Sequence, residues 1–391
     1  MKGEPILPGA TIGVVGGGQL GRMLALEARR MGYHTLVLDP ALHCPAAQVA
    51  DDHIAAPLGD ADALRELLRR SDVVTWEWEN ADVDALRELE AAAPLRPAPG
   101  VLAIAQHRVK EKQAVRRLGI PTARFRPVSD RASLDAALAE IGIPAVLKSA
   151  RGGYDGRGQA RIRTLADADT AFAGLARPGG EWVLEAWVPF RAEISVVCAR
   201  SAAGEIAAFP AAENVHEDGV LDLTLAPARV SGGVGREARR IAEALVEGLD
   251  VVGLLGVEMF VDAEERVVVN EVAPRPHNSG HFTWEGCAVS QFEQQIRAVC
   301  GLPLGSVELR RPAAMANLLG RHLGAGWPGA VPALLGEPDV ALHWYGKDEI
   351  RPGRKMGHLT ALAPDVEAAR ERVLRARNTL AGDLQAVIGV L

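Results

Sequence analysis

Three groups of side chains in this sequence have the types and spacing to do chemistry. The first is a pair of carboxylates, Glu258 in LGVEMF and Glu271 in VVNEV, on two apolar runs joined by a short turn at 262–265. If the runs form a hairpin, both acids can face one side of it, with the Asn270 amide beside them. Two carboxylates and an amide oxygen are the hard donors magnesium prefers. The alternative, two acids on a solvated strand face, fits poorly with the apolar flanks, where unpaired acids are costly. The second group is Lys148, at the end of an apolar run, followed by the glycine-dense loop GGYDGRGQ at 152–159. Such a loop offers backbone N–H groups to phosphate oxygens, and the lysine adds a compact positive charge. It is not a P-loop, because GxxxxGK[ST] is absent; the bland alternative is a flexible surface hairpin. The third group is basic: RPHNSGH at 275–281, YGK at 345–347 and RPGRKMGH at 351–358. It suits an anionic oxygen or a phosphate monoester, or else forms a solvated basic face.

A further motif, GGGQLG at 16–21, contains GxGxxG after a β-branched run and ahead of an amphipathic stretch, with Asp39 at the end of the next run. Taken alone this pattern predicts NAD or FAD on a helix N-terminus. A tight strand–helix crossing that needs small residues for packing explains it equally.

The elements that must position these groups follow from periodicity. Residues 11–15, 36–38 and 72–76 read as strands, and 19–31, 60–70 and 83–92 as helices, which is the βαβαβ alternation of a doubly wound parallel sheet. Residues 94–100 carry three prolines and a glycine and read as a linker, followed by a charged helix over 104–118. Strands are expected at 145–148, 182–187, 192–199, 254–261, 266–272 and 340–344, and helices at 235–249 and from 365 onward.

At 391 residues the chain is long enough for two or three domains. A formal charge of −7 argues against a nucleic-acid-coating protein while allowing a local basic pocket. Only six of its 43 basic residues are lysines, so the lysines that remain, Lys148, Lys347 and Lys355 among them, stand out. Four scattered cysteines without CxxC spacing predict a reducing cytoplasm, and neither a signal peptide nor a membrane span is expected.

The order Lys148, GGYDGRGQ, EAWV at 185–188, Glu193, Glu258 and Asn270–Glu271 resembles the ATP-grasp fold. Together with GGGQLGRM, TWEWEN at 75–80 and the three basic motifs, the chain resembles the 5-(carboxyamino)imidazole ribonucleotide synthase family of purine biosynthesis over nearly its whole length. It differs mildly, with Arg157 where the family often has Lys, and Trp76 and Trp78 where it often has Tyr or Phe nearby. The resemblance implies an α/β and α+β multidomain protein: a Rossmann-like pre-ATP-grasp domain at 1–103, an ATP-grasp domain at 104–300 with subdomains at 104–180 and 181–300, and a small β-rich domain at 301–391.

Carried residue by residue, the resemblance places ATP on Arg108, Lys148, Gly153, Tyr154, Asp155, Gly156, Arg157, Gly158 and Gln159. Glu185, Ala186, Trp187 and Val188 would hold adenine, Glu193 the ribose, and His216, Asn270 and Glu271 would line the same site. Glu258 and Glu271 would carry Mg2+. Asp155, Arg275, His277, Asn278 and Ser279, with Glu77 nearby, would surround bicarbonate and the aminoimidazole; Asp155, Arg275 and Lys148 are the expected catalytic residues. Lys347, Arg354 and Lys355, helped by Gln19, would clamp the ribonucleotide phosphate. The implied reaction is ATP-dependent carboxylation of 5-aminoimidazole ribonucleotide by bicarbonate through carboxyphosphate, by a cytoplasmic homodimer. A sister ATP-grasp ligase such as a formate-dependent transformylase or a biotin carboxylase, a dinucleotide oxidoreductase and a non-catalytic nucleotide-binding regulator are the alternatives.

Overall fold

Short β-branched runs separated by glycine- and proline-marked turns build three sheets. The structure, a computed structural model, describes residues 4–89, 93–153, 156–175 and 179–381. Strands β1 (Thr11–Val15), β2 (His34–Leu38), β3 (Asp52–Ile54) and β4 (Val73–Trp76) form a parallel sheet in the order β3-β2-β1-β4. Its apolar strands are buried on both faces, as a parallel sheet flanked by helices requires. Helix α1 (Gln19–Arg30) carries Leu20, Met23, Leu24 and Ala28 into one layer of this core. Helix α2 (Ala61–Arg69), N-capped by the Asp60 side chain on the Ala63 N–H, supplies the other with α3 (Val83–Leu89). Strand β3 was not expected, because three residues reading Asp-His-Ile carry no apolar alternation.

Two sequence expectations change at the next junction. Residues 94–100 are no free linker: Leu95 pairs with Val74 in a parallel bridge, and Pro99 opens α4 (Pro99–Ala105). The single helix expected over 104–118 is broken at His107, whose extended backbone starts a new helix, α5 (Arg108–Arg117). The break is held by the Gln106 amide, which donates to the carbonyls of Glu79 and Ala81 at 2.7 Å each. The Arg108 N–H donates to the Ala150 carbonyl, so α5 starts at the root of the glycine loop.

A second, antiparallel sheet has the order β5-β8-β6-β7, from β5 (Phe125–Val128), β6 (Ala145–Ser149), β7 (Gln159–Ile162) and β8 (Trp182–Ala186). Helices α6 (Arg131–Ile141) and α7 (Asp167–Leu175) cover one face with Leu134, Leu138 and Ala171. The third sheet is the largest. Its path is β14-β13-β9-β11-β12-β15-β17-β16, made of β9 (Phe190–Arg200), β11 (Ala212–Glu217), β12 (Val220–Ala226), β13 (Gly253–Asp262), β14 (Val267–Ala273), β15 (Ala313–Leu319), β16 (Val340–Trp344) and β17 (Lys355–Leu362), with β10 (Ile206–Ala208) paired to β9. Strands β15–β17 thus continue the same hydrogen-bonded sheet instead of forming one of their own. Helix α8 (Gly232–Gly248) packs its apolar stripe on β9 and β13. After the short α9 (Thr283–Gly286), α10 (Gln291–Val299) places Phe292, Ile296 and Val299 against α1. Beyond α11 (Trp327–Leu335), α12 (Val366–Ala381) covers β15 and β17.

Candidate active site

The three sheets surround one cleft of about 1190 Å³. One wall contains Arg108, Lys148, Gly153, Gly156, Arg157, Gln159, Glu185, Ala186, Trp187, Val188, Glu193, His216, Asn270 and Glu271. Gln19, Glu77, Arg275, His277, Asn278, Lys347, Arg354 and Lys355 line the rest, with Glu258 between. Tyr154 and Asp155 lie outside the described residues. Gly158 sits at the loop base, its carbonyl accepting from the Ser149 N–H at 2.7 Å. Ser279 is buried behind the wall: its hydroxyl contacts His277 Nδ1 at 2.8 Å and accepts from Ser195 Oγ at 2.6 Å. It orients His277 and does not face the cleft.

The carboxylate pair arises from strand register. Glu258 on β13 stands directly opposite Glu271 on β14, and the next pair is Met259 with Val269, so Asn270 is the extra residue of a β-bulge. A bulge lets two successive residues serve one face, which brings the Asn270 amide to the acids' side. Each acid has a side-chain nitrogen beside it: Arg108 Nη1 lies 2.7 Å from Glu271, and His277 Nε2 lies 3.0 Å from Glu258. Burial alone would raise the Glu271 carboxyl, but Arg108, with Lys148 behind it, holds it at about 2. Two opposed carboxylates and an amide oxygen remain a hard-oxygen donor set of the kind magnesium takes, so these residues fit that ion. Elsewhere, Glu217, Asp222 and His322 bring ligating atoms within 4.8 Å of one another, but Arg321 and Arg377 pair with the two acids.

Beneath this pair lies a buried cation network. Glu185 Oε2 is 3.0 Å from Lys148 Nζ and 3.3 Å from Lys112 Nζ. Lys112, only 1% exposed, also donates to the Asn270 carbonyl at 3.2 Å and approaches Thr122 Oγ1 at 3.5 Å. Burial would raise Glu185, but Lys112 and Lys148 hold it down; burial pushes Lys148 down against the pull of Glu185. Sequence reading gave Lys112 no role. The available signal was its four-residue spacing from Arg108, which puts both on one face of α5. Glu111, also on α5, accepts the Val272 N–H. Burial raises its carboxyl from 4.5 to about 8, so Glu111 favours the fold fully below pH 4.5 and loses that contribution as pH rises through 8. Glu111→Gln keeps the acceptor and removes the titration. Between pH 6 and 9 its urea midpoint should fall less than the parent's, a gap worth up to about 3 kcal/mol; equal falls would disprove the assignment.

On the same wall, His216 Nδ1 lies 2.6 Å from Glu193 Oε2. Burial would lower this imidazole, but Glu193, Glu258 and Glu271 raise it.

The glycine turn after β1 does not bind like a dinucleotide motif. The Glu77 carboxylate accepts the Gly18 N–H at 2.6 Å and the Gly21 N–H at 2.9 Å, while Asp39 accepts the Gly17 N–H at 2.8 Å. The donors that would hold a pyrophosphate at the start of α1 are taken by the chain's own acids, which corrects the NAD or FAD expectation. What the turn does offer the cleft is Gln19, whose Oε1 accepts from Lys347 Nζ at 2.8 Å. Arg275 is ion-paired to Glu79 from the TWEWEN motif, another partner the sequence reading missed.

Residues 113–292 match the ATP-grasp domain family, 9–106 the ribonucleotide synthetase preATP-grasp domain, and 313–372 the phosphoribosylaminoimidazole carboxylase C-terminal domain. The N5-carboxyaminoimidazole ribonucleotide synthase of Brucella melitensis is 47% identical over 364 residues, covering 93% of this chain and 99% of that one. The chain belongs to the N5-carboxyaminoimidazole ribonucleotide synthase family. As a member of that family it is an ATP-grasp ligase. Solved structures of the family superimpose closely. An N5-carboxyaminoimidazole ribonucleotide synthetase in complex with ADP gives a TM-score of 0.91 at 45% identity, covering 96% of this chain and 98% of that one. The Aspergillus clavatus enzyme, in complex with ADP and 5-aminoimidazole ribonucleotide, gives 0.88 at 34%, covering 95% and 98%.

Proposed function

We propose that this chain carboxylates the exocyclic amine of 5-aminoimidazole ribonucleotide with bicarbonate, consuming ATP and forming the carboxyamino ribonucleotide, ADP and phosphate in purine biosynthesis. The observation that carries this reading is one cleft with three parts: a lysine–glutamate nucleotide wall, a basic end at Lys347, Arg354 and Lys355, and opposed acids between them. Two ligands, a nucleoside triphosphate on the wall and a phosphate monoester at the basic end, fit that charge pattern.

Bicarbonate is a poor electrophile because its leaving group would be hydroxide; transfer of the γ-phosphoryl group to it replaces hydroxide by phosphate. Glu258 and Glu271, with the Asn270 oxygen, would hold magnesium, which supplies positive charge to the transferring phosphoryl group when bound. Arg108, Lys148 and Arg275 are the fixed cations of the protein around the reacting oxygens, oriented in advance by Glu271, Glu185 and Glu79. Carboxyphosphate decomposes quickly in water, so the glycine loop is assigned to closing over it, and Asp155, His277 and Asn278 to the surroundings of bicarbonate and the aminoimidazole. Glu193 is assigned to the ribose of ATP, His216 to the lining of the same nucleotide site, and Ala186–Val188 to adenine.

None of the described helices is long and apolar enough to cross a membrane. The four cysteines are free and buried, which supports a reducing, cytoplasmic setting. The homodimer implied by the resemblance is checked by sedimentation of the purified chain.

The reaction is tested by ADP release at fixed bicarbonate with and without 5-aminoimidazole ribonucleotide; equal rates would overturn the substrate assignment. In the same assay Lys347→Ala should raise the ribonucleotide KM by about tenfold or more, the scale of a lost charge-assisted hydrogen bond, and leave the ATP KM near the parent value. A loss of ATP affinity alone would show that the phosphate clamp is misplaced.

A further inference from the structure

Three motif residues have no part in the chemistry above: His281 of RPHNSGH, Tyr345 of YGK and His358 of GRKMGH. All three are buried to within 1% exposure. They form one contiguous polar path. The Tyr345 hydroxyl meets His358 Nδ1 at 2.8 Å, and the His358 ring packs on His281 with centroids 4.7 Å apart. His281 Nδ1 contacts Gln291 Nε2 at 3.0 Å. Gln291 then grips both backbone groups of His277, its Oε1 accepting the N–H at 2.9 Å and its Nε2 donating to the carbonyl at 2.8 Å. Two residues beyond Tyr345 stands Lys347. The path therefore begins at the strand end that launches the phosphate clamp and finishes on the backbone of the residue facing Glu258.

A buried polar chain across a sheet is costly unless it specifies geometry, because an apolar filling would satisfy the core without unpaired atoms. Burial also pushes both His281 and His358 well below the usual histidine range, so they stay neutral, each hydrogen-bonded through Nδ1 while its buried Nε2 meets no protein partner. His343 also stacks on His358, with centroids 4.4 Å apart, and is held by Glu285 at 2.6 Å. Neither Lys347 nor His277 is fixed from its own loop alone.

We propose that Tyr345, His358, His281 and Gln291 are positioning residues that hold the Lys347 loop and the His277 loop at one separation, so that the ribonucleotide meets both ends of its site already aligned. This rests on the substrate assignment above. Its kinetic signature is selective: the relay touches the ribonucleotide end and has no member on the Lys148–Glu185 wall.

The test is steady-state ADP release with ribonucleotide and ATP varied separately. Tyr345→Phe keeps the ring and deletes only the hydroxyl; it should raise the ribonucleotide KM about five- to tenfold and leave the ATP KM unchanged. His358→Leu should do the same, and His358→Asn, which can place Oδ1 where Nδ1 stood, should recover most of the loss. An unchanged ribonucleotide KM in Tyr345→Phe, equal rises in both KM values, or His358→Asn performing no better than His358→Leu would each overturn the proposal. If His358→Leu does not fold, Tyr345→Phe decides alone. Lys347→Ala separates the two levels. A raised ribonucleotide KM there with a normal Tyr345→Phe sinks only the relay, whereas no effect in Lys347→Ala sinks the clamp and the relay with it.

Discussion

Glu271→Gln is expected to lose about 10²- to 10³-fold in kcat, the scale seen when one preorganised electrostatic partner of a transition state is removed. Gln keeps the size and one oxygen but takes a full negative charge from a donor set of two carboxylates and an amide. The carboxyl sits at about 2, so the parent is ionised there at any working pH. Its folded value lies below the ordinary 4.5, so the stability it contributes is present above that pH and fades as pH falls toward 2. The substitution also leaves the partly buried Arg108 beside a neutral amide, at a stability loss of about 1 kcal/mol, because solvent at the half-exposed Glu271 screens the pair. The measurements are kcat at saturating magnesium, binding of magnesium–ADP by calorimetry, and the urea midpoint. A near-normal kcat at saturating magnesium would remove Glu271 from the metal set, while a lost kcat with full-strength magnesium–ADP binding would move its role to the transferring phosphoryl group.

Lys112→Met should be among the most destabilising single changes in the protein, at about 3–5 kcal/mol, with the ATP KM raised along with it. Three acceptors converge on that ammonium: Glu185, the Asn270 carbonyl and Thr122. Methionine fills the volume without a charge. Glu185 is left to Lys148 alone, which must then neutralise a buried carboxylate and serve a phosphate at once. The Asn270 bulge also loses the donor that holds its carbonyl. A urea midpoint shifted by less than the equivalent of about 1 kcal/mol would show that Lys148 suffices for Glu185.

Where one residue type can do only one job, function was legible in the sequence. Glu258, Asn270 and Glu271 were recognisable because acids on apolar strands need a reason, and the structure sets the two glutamates opposite each other. The break at His107 was not legible, since it depends on Gln106 reaching carbonyls 25 and 27 residues away. Nor was the occupied glycine turn: GxGxxG is a local pattern, and the acid that fills it comes 59 residues after Gly18. Strands β10–β12 escaped because the run from 206 to 226 mixes polar and apolar residues, with Asn214 and Thr224 hydrogen-bonded to each other inside the sheet. The relay through Tyr345 and His358 had motif letters but no periodicity that could say which way their side chains pointed.

The unbroken third sheet has a mechanical consequence. The hairpin bearing Glu258 and the strand that begins at Lys355 are five strand spacings apart along one ladder, an arc of roughly 24 Å at about 4.8 Å per step. Lys148 and Glu185 stand on the other, smaller sheet. Relative motion of these two strands would shear backbone hydrogen bonds, whereas motion of the smaller sheet would leave that ladder intact. The larger sheet thus spans its side of the cleft as one ladder, while Lys148 and Glu185 belong to a ladder of their own. The backbone ladder sets the coarse spacing of these two strands, and the side chains from Tyr345 to Gln291 set the loops that hang from it.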